Sequence, residues 1–132
     1  MLRGLANISF FADDLDAAKS WYTEVFGVEA YFNVPGYVEF RVGDYQHEFG
    51  LVHKSYAPYD AVAGPSGSIT YWHVDDVQAE FDRLLSLGAK ELDGVRERGE
   101  GFVTASVVDP FGNILGIMYN QHYLDILAAK QS

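Results

Sequence analysis

The 132-residue sequence contains no cysteine. Disulfides, thiolate metal sites and cysteine nucleophiles are thereby excluded, while a reducing compartment is permitted. Positive charge is scarce: nine Lys and Arg stand against 19 Asp and Glu, for a formal net charge of −10. Neutralising phosphates takes cationic groups, so nucleic acid is a poor partner, and an anionic membrane surface is disfavoured likewise. Long apolar runs are also missing. The stretch "MLRGLANISFFADDLD" is broken early by acids and reads as neither a secretion signal nor a membrane span. The expectation is a soluble, cytoplasmic protein. Neither a phosphate-binding glycine loop nor a G-x-S-x-G elbow occurs, so nucleotide-kinase and serine-hydrolase chemistry have no support.

What is present is apolar and aromatic. The chain is 48% hydrophobic and 15% aromatic, enough to build one core without covalent staples. The expectation is a single domain over residues 1–132.

The sequence repeats itself. "FADDLDAAKSWYTEVFG" and "HVDDVQAEFDRLLSLG" each begin in a strand-like run, meet an Asp-Asp pair, pass through a helical pattern and stop at Gly27 or Gly88. Asp13, Asp14, Asp75 and Asp76 suit helix starts, where carboxylates accept bonds from free N–H groups and face the positive dipole end. Leu15, Ala18, Tyr22, Val25 and Phe26 form one apolar stripe, and Val77, Phe81, Leu84 and Leu85 form another. Glycines at 27 and 88 permit the left-handed conformation that ends a helix.

Strand-like runs surround each helix. Ala6–Ala12 and Ser68–Val74 precede the helices. Glu29–Asn33, Tyr37–Val42 and Glu48–His53 follow the first, and Lys90–Leu92, Phe102–Val108 and Ile114–Tyr119 follow the second. The fold class is therefore α+β, with two tandem βαβββ modules over about residues 1–57 and 66–120, joined through "YAPYDAVAGPSGS". A tail, residues 121–132, carries Tyr123, Leu124, Ile126 and Leu127 at helical spacing and suits a short helix. Arg96–Phe102, "RERGEGF", reads as a charged, glycine-containing loop.

This duplicated order, together with "ADDLDAAKSWYTEVFG", "VDDVQAEFDRLLSLGA" and "DPFGNILGI", resembles the vicinal oxygen chelate superfamily. That group includes glyoxalase I, bleomycin-resistance proteins and extradiol dioxygenases, and the likeness covers nearly the whole chain. It implies two modules whose curled mixed sheets form a cup. Catalytic members hold a divalent metal there, and binding members capture an organic ligand without one. It also implies a homodimer.

The resemblance places metal ligands at four positions. A ligand seven residues before the Asp of the helix start falls on Asn7 in the first module and Ile69 in the second. The position after Asp109-Pro110-Phe111-Gly112-Asn113 and two further residues is Gly116, and "HEFGLV" aligned on "NILGIM" sets Gly50 opposite it. A divalent cation needs imidazole or carboxylate donors. Glycine and isoleucine offer none, and one neutral amide does not suffice. The expected cofactor is therefore none, with a divalent metal possible only on shifted ligands, His73 and Glu48. Gly50 and Gly116 read two ways. They either empty the centre of the cup for a ligand or let two sheets touch and curve.

Alternation along the first strands puts Asn7, Ser9 and Phe11 on one face, and Ile69, Tyr71 and His73 on one face. A wall of amide, hydroxyl, aromatic rings and one imidazole suits a small organic ligand with a few polar groups. The candidate ligand-binding set is Asn7, Ser9, Phe11, Gly50, Tyr71, His73 and Gly116. No catalytic residue is assigned. His73 reads as a ligand contact, a structural imidazole or a general base, since its ordinary pKa lies near neutrality. His47, His53 and His122 read as structural or solvated. Glu39 and Arg41 read either as ligand contacts or as a solvated face.

Overall fold

The computed structural model describes residues 1–59 and 64–131, so part of the connection at 60–63 lies outside the described residues. Two compact units divide the chain, Met1–Ala63 and Gly64–Ser132.

In the first unit, β1 (Asn7–Ala12) leads into α1 (Leu15–Phe26), followed by β2 (Phe32–Val34), β3 (Tyr37–Val42) and β4 (His47–His53). The sheet order is β1-β4-β3-β2, with β1 and β4 parallel and the other pairs antiparallel. Asp14 caps α1, its Oδ1 accepting from the Ala17 N–H at 3.0 Å. Gly27 ends the helix in the left-handed region, φ +70°, and its N–H donates to the Thr23 carbonyl. The helix packs its aromatic stripe on one sheet face. Tyr22 and Phe26 stand 4.9 and 5.0 Å from the Phe49 ring, and Phe10 stands 5.1 Å from it. Tyr22, Phe40, Phe49 and Leu51 are fully buried. Removing each of these side chains from water stabilises the fold by about 2–3 kcal/mol before entropy is subtracted. Trp21, outside the stripe read from spacing, is buried edge-on against Tyr22.

The second unit repeats the order with β5 (Thr70–His73), α2 (Val77–Ser86), β6 (Lys90–Gly99), β7 (Phe102–Val108), β8 (Ile114–Asn120) and a further helix, α3 (Gln121–Gln131). Its sheet runs β5-β8-β7-β6, again with one parallel pair, β5 with β8. Asp76 repeats the cap of Asp14, accepting from the Ala79 N–H at 3.0 Å. Val77, Phe81 and Leu84 of α2 are buried, as are Ala105, Val107, Leu115 and Ile117 on the sheet. Among the described residues, no helix is long and apolar enough to cross a membrane.

Three expectations need correction. β5 is four residues long, so Ile69 lies before the strand. The second strand of the first unit starts at Phe32, three residues late, because Tyr31 closes the end of the ladder with its N–H on the Glu39 carbonyl at 2.8 Å. "RERGEGF" is not a loop. β6 continues through Gly99, and a tight turn at Gly99–Gly101 returns the chain into β7. Charged residues disguise this strand, because its outward side chains are Arg and Glu rather than β-branched.

The turn before β8 has a clear cause. Asp109 is 3% exposed, and its Oδ1 accepts from the N–H groups of both Phe111 and Asn113 at 2.9 Å. The Asp109 N–H donates in turn to the Asn113 carbonyl at 2.8 Å. The carboxylate thus satisfies backbone donors that the reversal would otherwise strand. The motif sets where β8 begins, and therefore which β8 residue stands beside β5.

A candidate polar site on the first unit

The face of the first sheet away from α1 is built by alternation. Phe10, Val38, Phe40, Phe49 and Leu51 turn to the helix and are buried. Their neighbours Asn7, Ser9, Tyr37, Glu39, Arg41, Glu48 and Gly50 turn the other way. The pairing Ser9↔Gly50↔Glu39 forms one row across the sheet, and Asn7↔Glu48↔Arg41 forms the next.

Hydrogen bonds join these side chains into one chain of donors. The Ser9 hydroxyl donates to Asn7 Oδ1 at 2.6 Å. Asn7 Nδ2 donates to Glu48 Oε1 at 2.7 Å and to Tyr37 Oη at 3.3 Å. Tyr37 donates to Glu39 Oε1 at 3.0 Å, and Arg41 reaches Glu39 Oε2 at 3.5 Å. The Arg41 guanidinium lies 3.9 Å above the Tyr31 ring. The Asn7 amide can take only this orientation, because a flip would set its carbonyl against a carboxylate.

The electrostatics follow. Glu39 is buried and is held by one phenol and one guanidinium. Burial pushes the Tyr37 phenol above its ordinary value, and Glu39 and Glu48 push the same way, while the bond from Asn7 opposes them. A carboxylate next to a phenol disfavours phenolate. Tyr37 is therefore a hydrogen-bond donor at neutral pH and no general base. Glu48 retains acceptor capacity that Asn7 does not use. The face offers acceptors at Glu48 and a fixed ring at Tyr37, which suits a molecule carrying hydroxyl or amine donors.

The glycines have an unexpected environment. A Cβ placed on Gly50 would lie 2.7 Å from Tyr37 Cε1, and one on Gly116 would lie 2.7 Å from Tyr71 Cδ1 and 2.9 Å from the Thr70 carbonyl. Each glycine is covered by a tyrosine of its own unit. A tyrosine ring lies where a side chain at either position would project. Aromatic rings lying on strand glycines compensate for the missing side chain. The alignment of the two glycines is sound within each unit, since Gly50 pairs with Ser9 of β1 and Gly116 with Tyr71 of β5.

In the second unit Tyr71 and Gly116 are cross-strand neighbours, and His73 stands two residues beyond Tyr71 opposite Met118. The His73 ring is engaged on both nitrogens. Nδ1 accepts from the Asn120 N–H at 3.1 Å, which leaves the proton on Nε2, 3.2 Å from Asp75 Oδ1. Tyr123 of α3 stacks on it at 4.7 Å with a 5° interplanar angle. Within its unit His73 pins α3 to the end of β8. Phe11 of the first unit packs edge-on against Tyr59.

The four family metal positions do not fit a divalent cation. Asn7 already spends both ends of its amide on Ser9, Glu48 and Tyr37. Gly50, Gly116 and Ile69 carry no donor atom. Among the described residues no three His, Asp or Glu side chains gather as a metal-binding group.

Comparison with known proteins bears on this arrangement. No curated protein matches the sequence. A lactoylglutathione lyase from Agrobacterium tumefaciens has a similar structure at 23% identity, covering 93% of this chain and 98% of that one, with a TM-score of 0.70. A glyoxalase-related enzyme from Fulvimarina pelagi superposes with a TM-score of 0.73 at 21% identity, over 91% of this chain and 90% of the other. The fosfomycin resistance protein FosX from Listeria monocytogenes, solved as a point mutant with Mn(II) and 1S,2S-dihydroxypropylphosphonic acid, gives a TM-score of 0.72 at 14% identity over 91% of this chain and 92% of the other. At these identities the likeness speaks to the fold. Residues 4–117 match the sequence pattern of the Glyoxalase/Bleomycin resistance protein/Dioxygenase superfamily, and the chain belongs to that superfamily.

Proposed function

We propose that this chain captures a small organic molecule without a metal ion. The observation that carries the reading is the relay Ser9–Asn7–Tyr37–Glu39, with Glu48 beside it, on the sheet face away from α1. The family position that would hold a metal ligand carries instead an amide fixed within a hydrogen-bonded network. In this reading Ser9 and Glu48 orient polar groups of the ligand, Asn7 holds both of them and Tyr37 in place, and Phe11 supplies apolar contact. Tyr37 over Gly50 and Tyr71 over Gly116 provide flat aromatic surface in the two units. His73 contributes through the orientation it imposes on Tyr123 and the β8 end.

Two measurements test it. Native mass spectrometry of the purified chain is expected to detect a co-purifying organic molecule that an Asn7→Leu variant releases. Thermal unfolding with Mn, Ni, Fe or Zn is expected to match unfolding with chelator. Saturable stabilisation by one of these ions, removed by Glu48→Ala, overturns the reading in favour of a metal-dependent lyase, isomerase or dioxygenase with shifted ligands.

A further inference from the structure

The β6–β7 hairpin of the second unit carries three register shifts, and the one between Asp93 and Arg96 has a chemical result. Asp93 pairs with Ser106 and Arg96 pairs with Thr104, so three steps along β6 span two along β7. In a regular strand, residues an odd number apart project to opposite faces. The extra residue cancels that reversal and brings Asp93 and Arg96 to one face, and Arg98, at a further shift between Glu97 and Gly99, reaches the same group through its bonds to Asp93 and Thr104. Thr104 and Ser106 occupy this same face, since Ala105 and Val107 between them are core.

The side chains converge there. Arg96 Nε donates to Asp93 Oδ1 at 2.8 Å, and Arg98 Nη2 donates to Asp93 Oδ2 at 3.0 Å. Arg98 Nε also donates to Thr104 Oγ1 at 3.0 Å, so the hydrogen of that hydroxyl is directed to some other acceptor. Two guanidinium groups meet one carboxylate, a local surplus of one positive charge in a chain of net charge −10. Ser106 is 1% exposed, and its Oγ has no hydrogen-bond partner among the described residues. A buried hydroxyl without a partner is costly, and its cross-strand neighbour is Asp93, the carboxylate that holds the two arginines.

We propose that this face is a subsite for an oxyanion, the carboxylate or phosphoryl group of a small molecule. Arg96 and Arg98 supply charge-assisted donors, and Thr104 and Ser106 supply hydroxyl donors. Asp93 fixes the two guanidinium groups, and a bound monoanion brings the cluster to neutrality. The subsite goes beyond the small-molecule reading above and is carried by the second unit alone, so the two are separable.

The test uses the full chain, with amide and Arg Nε resonances followed during titration by sodium acetate or by sodium phosphate at constant ionic strength, and sodium chloride as control. Ser106, Thr104 and Arg98 are expected to shift saturably with acetate, phosphate or both, and not with chloride. Whichever of the two binds tighter identifies the source of the oxyanion. Arg98→Met is expected to weaken binding about tenfold, the loss of one charge-assisted contact. Ser106→Ala is expected to weaken it several-fold while leaving the melting temperature unchanged or higher, because a hydroxyl lacking a partner is removed. Shifts that grow linearly and equally in all three salts overturn the proposal. So does a Ser106→Ala variant that melts lower with its anion response intact. If the anions bind as described but no organic molecule co-purifies, the first-unit reading falls alone. If a ligand co-purifies and neither anion binds, the oxyanion subsite falls alone.

Discussion

Gly50→Ala measures how much the tyrosine lid on the first sheet is worth. Gly50 does not occupy the left-handed region, so the backbone accepts alanine, and the change alone would stabilise the strand by about 0.5–1 kcal/mol through the unfolded chain. The obstacle is the ring. The new methyl carbon would stand 2.7 Å from Tyr37 Cε1, 2.9 Å from Oη and 3.1 Å from Cζ. All three are side-chain atoms, so Tyr37 swings away and surrenders its bonds to Asn7 and Glu39. The first is worth about 1 kcal/mol and the second, to a carboxylate, about 1.5–2 kcal/mol at this partial burial. The net expectation is a loss of about 1.5–2.5 kcal/mol in urea unfolding followed by the fluorescence of Trp21 and Trp72. In a Tyr37→Ala background the obstacle is gone, and the same substitution should stabilise by about 0.5–1 kcal/mol. The double-mutant cycle should therefore return a coupling of about 2.5–3 kcal/mol, the worth of the two bonds. Additive effects within about 0.5 kcal/mol would refute the claim that ring and glycine form one unit. Gly116→Ala should be worse, about 2–4 kcal/mol, because its new carbon also meets the fixed Thr70 carbonyl at 2.9 Å.

Two further expectations are independent of the ligand. Asp109→Ala should destabilise by about 2–4 kcal/mol in the same assay, since it strands two backbone N–H groups at a buried turn; Asp109→Asn, which keeps one acceptor oxygen, should recover part of that. Tyr37 should ionise above its ordinary value of 10.0 in an alkaline titration at 295 nm, identified by difference against Tyr37→Phe. Between that value and its raised one, the folded state keeps a proton the unfolded chain has released. Its stabilising contribution is then complete below about pH 10 and declines as pH rises through the folded value. Glu39→Gln should bring the ionisation down, and a Tyr37 that titrates with the exposed tyrosines would contradict the network.

The duplicated architecture is legible in the sequence because its signals are local. A cap aspartate, an apolar stripe and a terminal glycine lie within one helix, and both helices appear where spacing predicts them. The Asp109 turn is legible for the same reason. The faces of β1 follow from alternation, which groups Asn7 with Ser9. What escapes are features that depend on a partner strand. Nothing in the sequence around Gly50 reveals that a ring from β3 will lie on it. The hairpin at residues 96–102 has the composition of a loop, and its bulge cannot be read from one strand alone, because a register shift is a property of a pair. A signal does exist for part of that site: Thr104 and Ser106 alternate with Val103, Ala105 and Val107 in an otherwise apolar strand. The engagement of His73 by Tyr123 likewise requires knowing that α3 turns back at Asn120.

The irregularity in β6 makes the hairpin's surface chemistry a matter of phase. Deleting one residue between positions 93 and 96 would leave Asp93 and Arg96 two regular steps apart and still on one face, whereas drawing the strand straight with every residue kept would turn them to opposite faces. Inserting one at another point along the strand could gather a different trio. A hairpin built this way can trade which charges it presents through a single codon gained or lost, while the helix-side packing that holds β7 and β8 stays as it is.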